Sequence, residues 1–96
     1  MGGSKTARGL KVRLDRFLQQ SRLIRRRALA HALCANFRVR LNGHVAKPAS
    51  RVRPGDLIEI DFGTRRVVVR VREVPDRPVP PSEAAGLVEI LGVVRA

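Results

Sequence analysis

Apolar residues return along this chain at two different intervals, and the change of interval divides it. Leu14, Phe17 and Leu18 fall at i, i+3 and i+4, which is one face of a helix, so a short helix is predicted over 13–20. Asp15 stands in its first turn, where an acid complements the helix dipole, and Ser21 breaks the pattern. A second helix is predicted over about 26–36: Leu29, Ala32 and Leu33 form its stripe, Ala28, Ala30 and Ala35 are strong helix formers, and Asn36 is a stop.

From Arg38 the interval is two. Val39 and Leu41 face one way, Arg38 and Arg40 the other. Asn42-Gly43 follows, a strong hairpin signal because both central residues of that turn take φ > 0. His44-Val45-Ala46 is the return strand, ended by Pro48. Arg53-Pro54-Gly55-Asp56 is a second tight turn. Leu57 to Phe62 reads as a strand, turned at Gly63-Thr64. Arg65 to Val74 reads as a long alternating strand, with Val67, Val69 and Val71 on one face and Val68, Arg70 and Arg72 on the other. Four prolines lie between Pro75 and Pro81 and make a stiff linker. Ser82 is placed to cap a helical turn over Glu83-Ala84-Ala85, and Leu87 to Leu91 fits a last strand at the sheet edge. The organisation expected is a flexible basic arm over 1–12, a body over 13–74, and a linker, helical turn and closing strand over 75–96.

Composition narrows this to one small domain. The chain has 96 residues, too few for a sizeable core and a deep cleft together. Its only aromatics are Phe17, Phe37 and Phe62, so the core is expected to be aliphatic. Cys34 is alone, which excludes a disulfide within the chain, and in its run Ala32-Leu33-Cys34-Ala35 it reads as a small core residue. No apolar stretch approaches the roughly 20 residues of a membrane span, and the first residues lack the apolar core of a signal peptide, so the cytoplasm is expected.

Charge adds the functional signal. Twenty Lys and Arg face eight Asp and Glu, a net of +12. Residues 1–53 hold 14 basic side chains and only Asp15 as an acid, whereas residues 54–96 hold six basic and seven acidic. So uneven an excess calls for an anionic partner, and nucleic acid is the commonest. Genome base composition accounts for Arg over Lys, but not for the position of the excess. Nothing suggests an enzyme. His31 and His44 have no Cys or paired acids at metal-ligand spacing, no nucleophile motif occurs, and neither metal nor cofactor is expected.

Two basic sets stand out. Arg13, Arg16, Arg22, Arg25, Arg26 and Arg27 surround Asp15 in sequence. On a helix Arg13 and Arg16 share a face. Arg25, Arg26 and Arg27 fan around a helix start, beside backbone N–H groups that bind phosphate. One of these three is a candidate partner for Asp15. The second set is Arg38, Arg40, Lys47, Arg51 and Arg53, and the two sets together are expected to form one surface. Stacking platforms are missing, so recognition of a folded RNA by shape and backbone is expected, with little base reading.

Five short motifs then follow in order: Arg13-Leu14-Asp15-Arg16-Phe17-Leu18, Arg26-Arg27-Ala28-Leu29-Ala30, Val39-Arg40-Leu41-Asn42-Gly43, Lys47-Pro48-Ala49-Ser50 and Val52-Arg53-Pro54-Gly55-Asp56. Over 13–62 this resembles the S4-type RNA-binding domain, the alpha-L motif. The resemblance implies an α+β fold: two short N-terminal helices packed on a small, twisted, antiparallel-rich sheet, with a C-terminal helical turn and edge strand. Arg26 stands where many such domains have Ser or Thr, and Ala49 and Arg51 vary. Ser21 to Arg27, Asp61-Phe62-Gly63 and Glu83-Ala84-Ala85 before Ile90-Leu91 resemble the RqcP (YabO) group, short S4-type proteins of bacterial ribosome-associated quality control. A sister group is the small heat-shock-induced S4-type protein that binds dissociated large subunits carrying a nascent chain; it usually has a longer basic tail.

What the RqcP resemblance implies is a protein on large ribosomal subunits with obstructed peptidyl-tRNA. It would contact rRNA and the P-site tRNA, and support an RqcH-type factor that adds C-terminal alanine tails. Arg13, Asp15, Arg16 and Arg27 fall on the family's helix motifs for RNA contact, with Asp15 expected to orient an arginine or reach a sugar hydroxyl. The full candidate interface is Arg13, Asp15, Arg16, Arg22, Arg25, Arg26, Arg27, Arg38, Arg40, Lys47 and Arg51, on a monomer. The sister group's recycling role is the alternative. An enzyme fragment is disfavoured because the chain leaves no room for a catalytic domain, and a lipid-surface protein because Arg is spread onto strands.

Overall fold

The structure, a computed structural model, describes residues 12–75 and 77–95. Of the basic arm expected over 1–12, residues 1–11 lie outside the described residues, and Val12 belongs to β1. The elements run β1 (Val12–Arg13), α1 (Leu14–Gln20), α2 (Arg27–Ala35), β2 (Val39–Leu41), β3 (His44–Val45), β4 (Arg51–Val52), β5 (Leu57–Asp61), β6 (Arg65–Val71), α3 (Pro81–Ala84), a 3-10 turn (Ala85–Leu87) and β7 (Val88–Arg95). The architecture is the expected α+β one, with α1 and α2 against one face of an antiparallel sheet ordered β3-β2-β5-β6-β7.

α1 buries its stripe of Leu14, Phe17 and Leu18 completely. Each such side chain contributes about 1.5–3 kcal/mol relative to exposure. No side chain caps its start. Instead the Leu14 N–H donates to the Ser50 carbonyl at 2.7 Å and the Asp15 N–H to the Pro48 carbonyl at 3.2 Å. β1 pairs antiparallel with β4, Val12 opposite Val52 and Arg13 opposite Arg51. This pairing corrects one expectation. Arg13 is held extended in β1 as the residue before the helix (φ −59°, ψ 142°), so it shares no helical face with Arg16.

The face of α2 differs from the expected one by about a residue. Ala30 and Cys34, at i and i+4, are buried, Leu33 is half-buried, Ala32 is exposed, and Leu29 is 49% exposed. Small side chains turned toward α1 let the helices approach closely, and the leucine stripe rotates outward. Cys34 is a core residue, as expected. The helix ends in a Schellman motif: the Phe37 N–H donates to the Cys34 carbonyl at 3.1 Å and the Arg38 N–H to the Leu33 carbonyl at 2.9 Å. Phe37 fills the left-handed position of that motif at φ 63°, where glycine is usual. A side chain there costs about 1–2 kcal/mol.

In the sheet, Val39, Ile58, Ile60, Val67, Val69 and Val71 point into the core. The hairpin of β2 and β3 turns at Asn42 (φ 53°) and Gly43 (φ 87°), as the sequence requires. β6 stops at Val71 rather than running to Val74, because the Arg72 and Glu73 amides leave the ladder and donate to the Leu87 carbonyl at 2.7 and 3.3 Å. β7 is longer than expected and pairs with β6 across a bulge between Val68 and Val69. The cap expected at Ser82 is absent: Pro80 precedes the helix, and Pro81, whose φ is already helical, starts it, so Ser82 lies inside. Glu83 stands in the first turn, as expected. Among the described residues no helix is long and apolar enough to cross a membrane, and no group of His, Cys, Asp and Glu is placed to hold a metal ion.

Candidate nucleic-acid interface

Asp15 is the buried centre of the basic half. Its residue is 1% exposed, yet it carries a carboxylate. The Arg13 guanidinium grips it with two bonds, Nε to Oδ1 at 3.1 Å and Nη2 to Oδ2 at 3.0 Å. Arg27 approaches from the start of α2, Nη2 to Oδ1 at 3.6 Å. Burial alone would raise the carboxyl. The Arg13 bonds, the charges of Arg13 and Arg27 and a bond from the Arg16 backbone N–H outweigh it and hold the group below its ordinary value. Asp15 raises the Arg13 guanidinium in return.

The two arginines keep their outer sides in solvent, at 41% and 50% exposure, while the acid beneath them is covered. A buried carboxylate therefore fixes the direction of the Arg13 fork by hydrogen bonds and draws the Arg27 guanidinium beside it by charge, without occupying all their donors. Directly opposed residues of an antiparallel pair point to the same side, so Arg51, opposite Arg13, joins this cluster. Between α1 and α2, Arg22, Arg25 and Arg26 are exposed around buried Ile24. Arg22 is left-handed at φ 65°. α2 has no side-chain cap at its start, so its first amides lie uncapped beside Arg25, Arg26 and Arg27. Arg16 and Lys47 are exposed. The Lys47–Ser50 loop that feeds carbonyls to α1 is closed by the Ser50 N–H to the Lys47 carbonyl at 3.0 Å and the Lys47 N–H to Ser50 Oγ at 2.9 Å.

Arg38 and Arg40 are not part of this cluster. Val39 between them is buried against the helical side, so Arg40 projects from the opposite sheet face, across from Glu59. Arg38 lies 3.5 Å from Asp61. Both line a pocket with Phe37, Glu59, Asp61 and Arg66. The single surface expected from the sequence is thus two surfaces, one at the helices and one on the outer sheet face.

A further network was not read from the sequence. Asn42 Nδ2 donates to Asp56 Oδ1 at 3.2 Å, and Asn42 Oδ1 accepts the Leu57 N–H at 2.9 Å. Asp56 Oδ2 accepts the Arg53 N–H at 2.9 Å. The Asn-Gly and Gly-Asp turns are latched to each other, which fixes β2 beside β5. The repeat of a turn acid or amide beside each glycine was the available signal.

Residues 12–58 match the S4 domain family. The chain is 44% identical over 80 residues to the RQC P-site tRNA stabilizing factor of Bacillus subtilis, covering 83% of this chain and 92% of that protein. Its counterpart of the same name in Streptococcus pneumoniae is 36% identical over 84 residues, 88% of this chain and 94% of that protein. The chain belongs to the family of RQC P-site tRNA stabilizing factors.

Heat shock protein 15 of Escherichia coli is a further relative, 32% identical over 80 residues, which cover 83% of this chain and 60% of that protein. A trimeric structure of Vibrio cholerae heat shock protein 15 shares the fold, with a TM-score of 0.75 at 29% identity, covering 83% of this chain and 81% of that one. In this member of the stabilizing-factor family the S4 match spans β1 through the first residues of β5, and so contains the whole Arg13–Asp15–Arg27 clamp and Arg51.

Proposed function

We propose that this chain is a non-enzymatic RNA-binding factor of ribosome-associated quality control. It binds large ribosomal subunits that carry an obstructed peptidyl-tRNA, contacts their rRNA and the P-site tRNA, and supports the addition of C-terminal alanine tails by an RqcH-type factor. It acts in the cytoplasm as a monomer and uses no cofactor. The observation that carries this reading is the Asp15 clamp, with Arg13 and Arg27 held against a buried acid while their side chains stay partly in solvent. Guanidinium forks match phosphate bidentately, and fixing them beforehand removes part of the ordering cost of binding. Arg51, Arg22, Arg25 and Arg26 extend the same surface. The names of the relatives supply the ribosomal setting.

The test is sedimentation of the tagged protein from cells with stalled ribosomes, beside an Arg13→Glu, Arg27→Glu double variant. Wild type is expected with large subunits and the variant at the top of the gradient. Wild type at the top as well would refute the ribosomal reading. The likeness in fold to heat shock protein 15 supports a second reading, recycling of large subunits without tailing. Deleting the gene separates them: loss of alanine-tailed nascent chains supports the first, unchanged tailing the second.

A further inference from the structure

The outer sheet face holds a feature that phosphate binding does not use. Phe37 is 70% exposed and stands in a left-handed conformation where glycine would be unstrained. The other two aromatics are accounted for: Phe17 is fully buried, and the Phe62 ring lies 4.6 Å from the Arg65 guanidinium carbon. A strained, solvent-facing ring is an outlier that calls for a use. Phe37 lines the pocket that also takes Arg38, Arg40, Glu59, Asp61 and Arg66.

The charges of that pocket define its ligand. Three guanidinium groups and two carboxylates line it, so it is far less cationic than the Asp15 cluster, and its acids repel a phosphate. A mixed set of donors and acceptors beside an aromatic ring suits a nucleobase instead, which stacks by its face and exchanges hydrogen bonds by its edge. The two carboxylates are not equivalent. Asp61 is engaged, accepting the Gly63 N–H at 2.8 Å through Oδ1 and lying 3.5 Å from Arg38 through Oδ2. The Glu59 carboxylate makes no hydrogen bond or ion pair among the described residues, although Glu59 lies opposite Arg40 in the ladder. An open carboxylate accepts from adjacent N–H donors, and guanine offers two on its Watson–Crick edge. Guanidinium groups donate to the O6 and N7 acceptors of the same base.

We propose that the Phe37 pocket binds one unpaired nucleobase of RNA, guanine in preference to the others, with Phe37 stacking, Glu59 reading the N–H edge, and Arg40 or Arg66 the acceptor edge. The site rests on the reading of the chain as an RNA-binding protein, but it is separate from the Asp15 clamp and does not need the ribosome. It adds base reading to a protein whose other contacts follow the backbone.

The chain has no Trp or Tyr, so Phe37→Trp provides its sole indole reporter. The probes are short single-stranded uridine oligonucleotides carrying one central guanine, adenine or abasic site, and a duplex RNA. The central-guanine oligonucleotide is expected to quench the indole and bind roughly tenfold more tightly than the abasic one. That ratio should persist in high salt while both affinities fall, because stacking is not a counterion effect. Read by the anisotropy of end-labelled oligonucleotides, which needs no indole, Phe37→Gly should abolish the ratio while its own folding midpoint rises, and Glu59→Gln should erase the preference for guanine over adenine. A guanine-to-abasic ratio unchanged in Phe37→Gly, or equal quenching by abasic and duplex probes, overturns the site. If the ratio is absent but the chain still sediments with large subunits, the pocket fails and the proposed function stands. If the ratio holds and the chain stays at the top of the gradient, the pocket stands and the ribosomal reading fails.

Discussion

Replacing Asp15 by Asn keeps the shape of the side chain and removes its charge, which isolates what the clamp contributes. The carboxylate is covered, but its partners Arg13 and Arg27 are 41% and 50% exposed, so solvent screens the pair. Hydrogen bonds to charged groups contribute about 1.5–3 kcal/mol. With that screening, and with one acceptor retained by Asn, a loss of about 1–2 kcal/mol is expected for Asp15→Asn. For a domain of this size that lowers the thermal midpoint by roughly 5–15 °C. The pH dependence supplies the sign. The folded-state value of Asp15 is depressed below its ordinary 3.8, so the stabilisation is complete above the unfolded value and is lost as pH falls through the folded one. Circular dichroism melts should show a constant gap between wild type and variant from neutral pH down to about 5, closing below about 4. A gap that persists at the lowest pH, or no gap at neutral pH, refutes the clamp. Binding gives a second sign. The substitution raises the net charge from +12 to +13, yet affinity for large subunits should fall, because the freed guanidinium groups lose their direction. Tighter binding would mean that bulk charge, and not geometry, governs the interface.

Asn42→Ala removes both side-chain links to the second turn and leaves a β-carbon in a positive-φ position, so the urea midpoint should drop by about 1–2 kcal/mol equivalent with an unchanged slope. Arg27→Gln should flatten the dependence of log affinity for RNA on log salt by about one unit, whereas Arg65→Gln should leave it unchanged, as salt titrations of the two variants will show. Cys34, buried in the core, has its thiol pushed up to about 11 by burial and then by the charge of Asp15. It should therefore resist alkylation at pH 8 in the folded protein and react at an ordinary rate in denaturant. Rapid modification of the folded chain would show that α2 does not seal the core as described.

The parts of this fold that were legible in the sequence are those set by local rules. The Leu14, Phe17, Leu18 stripe, the Asn42-Gly43 turn and the β5 alternation each need only neighbours along the chain, and each is present as read. The misreadings come from contacts that the chain makes at a distance. The 26–36 segment offered both Leu29-Leu33 and Ala30-Cys34 as a buried face, and hydrophobicity favours the leucines. Close approach to α1 selects the smaller pair. Arg13 looked helical because it begins the Leu14 pattern, but pairing with Arg51, 38 positions later, holds it extended. The same distance hid the link between Asn42 and Asp56. At the candidate site, the sequence assembled the arginines around Asp15, and it placed Arg38 and Arg40 on the wrong surface because alternation gives sides of a strand without saying which side the helices cover.

The division of charge along the chain has a structural cause that joins the two surfaces. The acids of the second half that stand nearest the basic half are engaged locally. Asp56 accepts from the Arg53 backbone and from Asn42, and Asp61 from the Gly63 backbone. Among the described residues, Asp61 is the one of the two whose carboxylate also pairs with a guanidinium group of the first half, that of Arg38. The acid that does neutralise the helical cluster, Asp15, is itself part of that cluster and lies beneath it, so it aligns the guanidinium groups rather than covering them. On the outer sheet face the acids instead stand beside the arginines at the surface, where they oppose phosphate and favour a base edge. One chain thus presents arginine in two settings. An acid buried under the guanidinium group suits the proposed phosphate contact, and a half-buried acid beside it suits the proposed base-reading pocket. Burial of the neighbouring carboxylate, more than the number of arginines, decides which ligand each face can take.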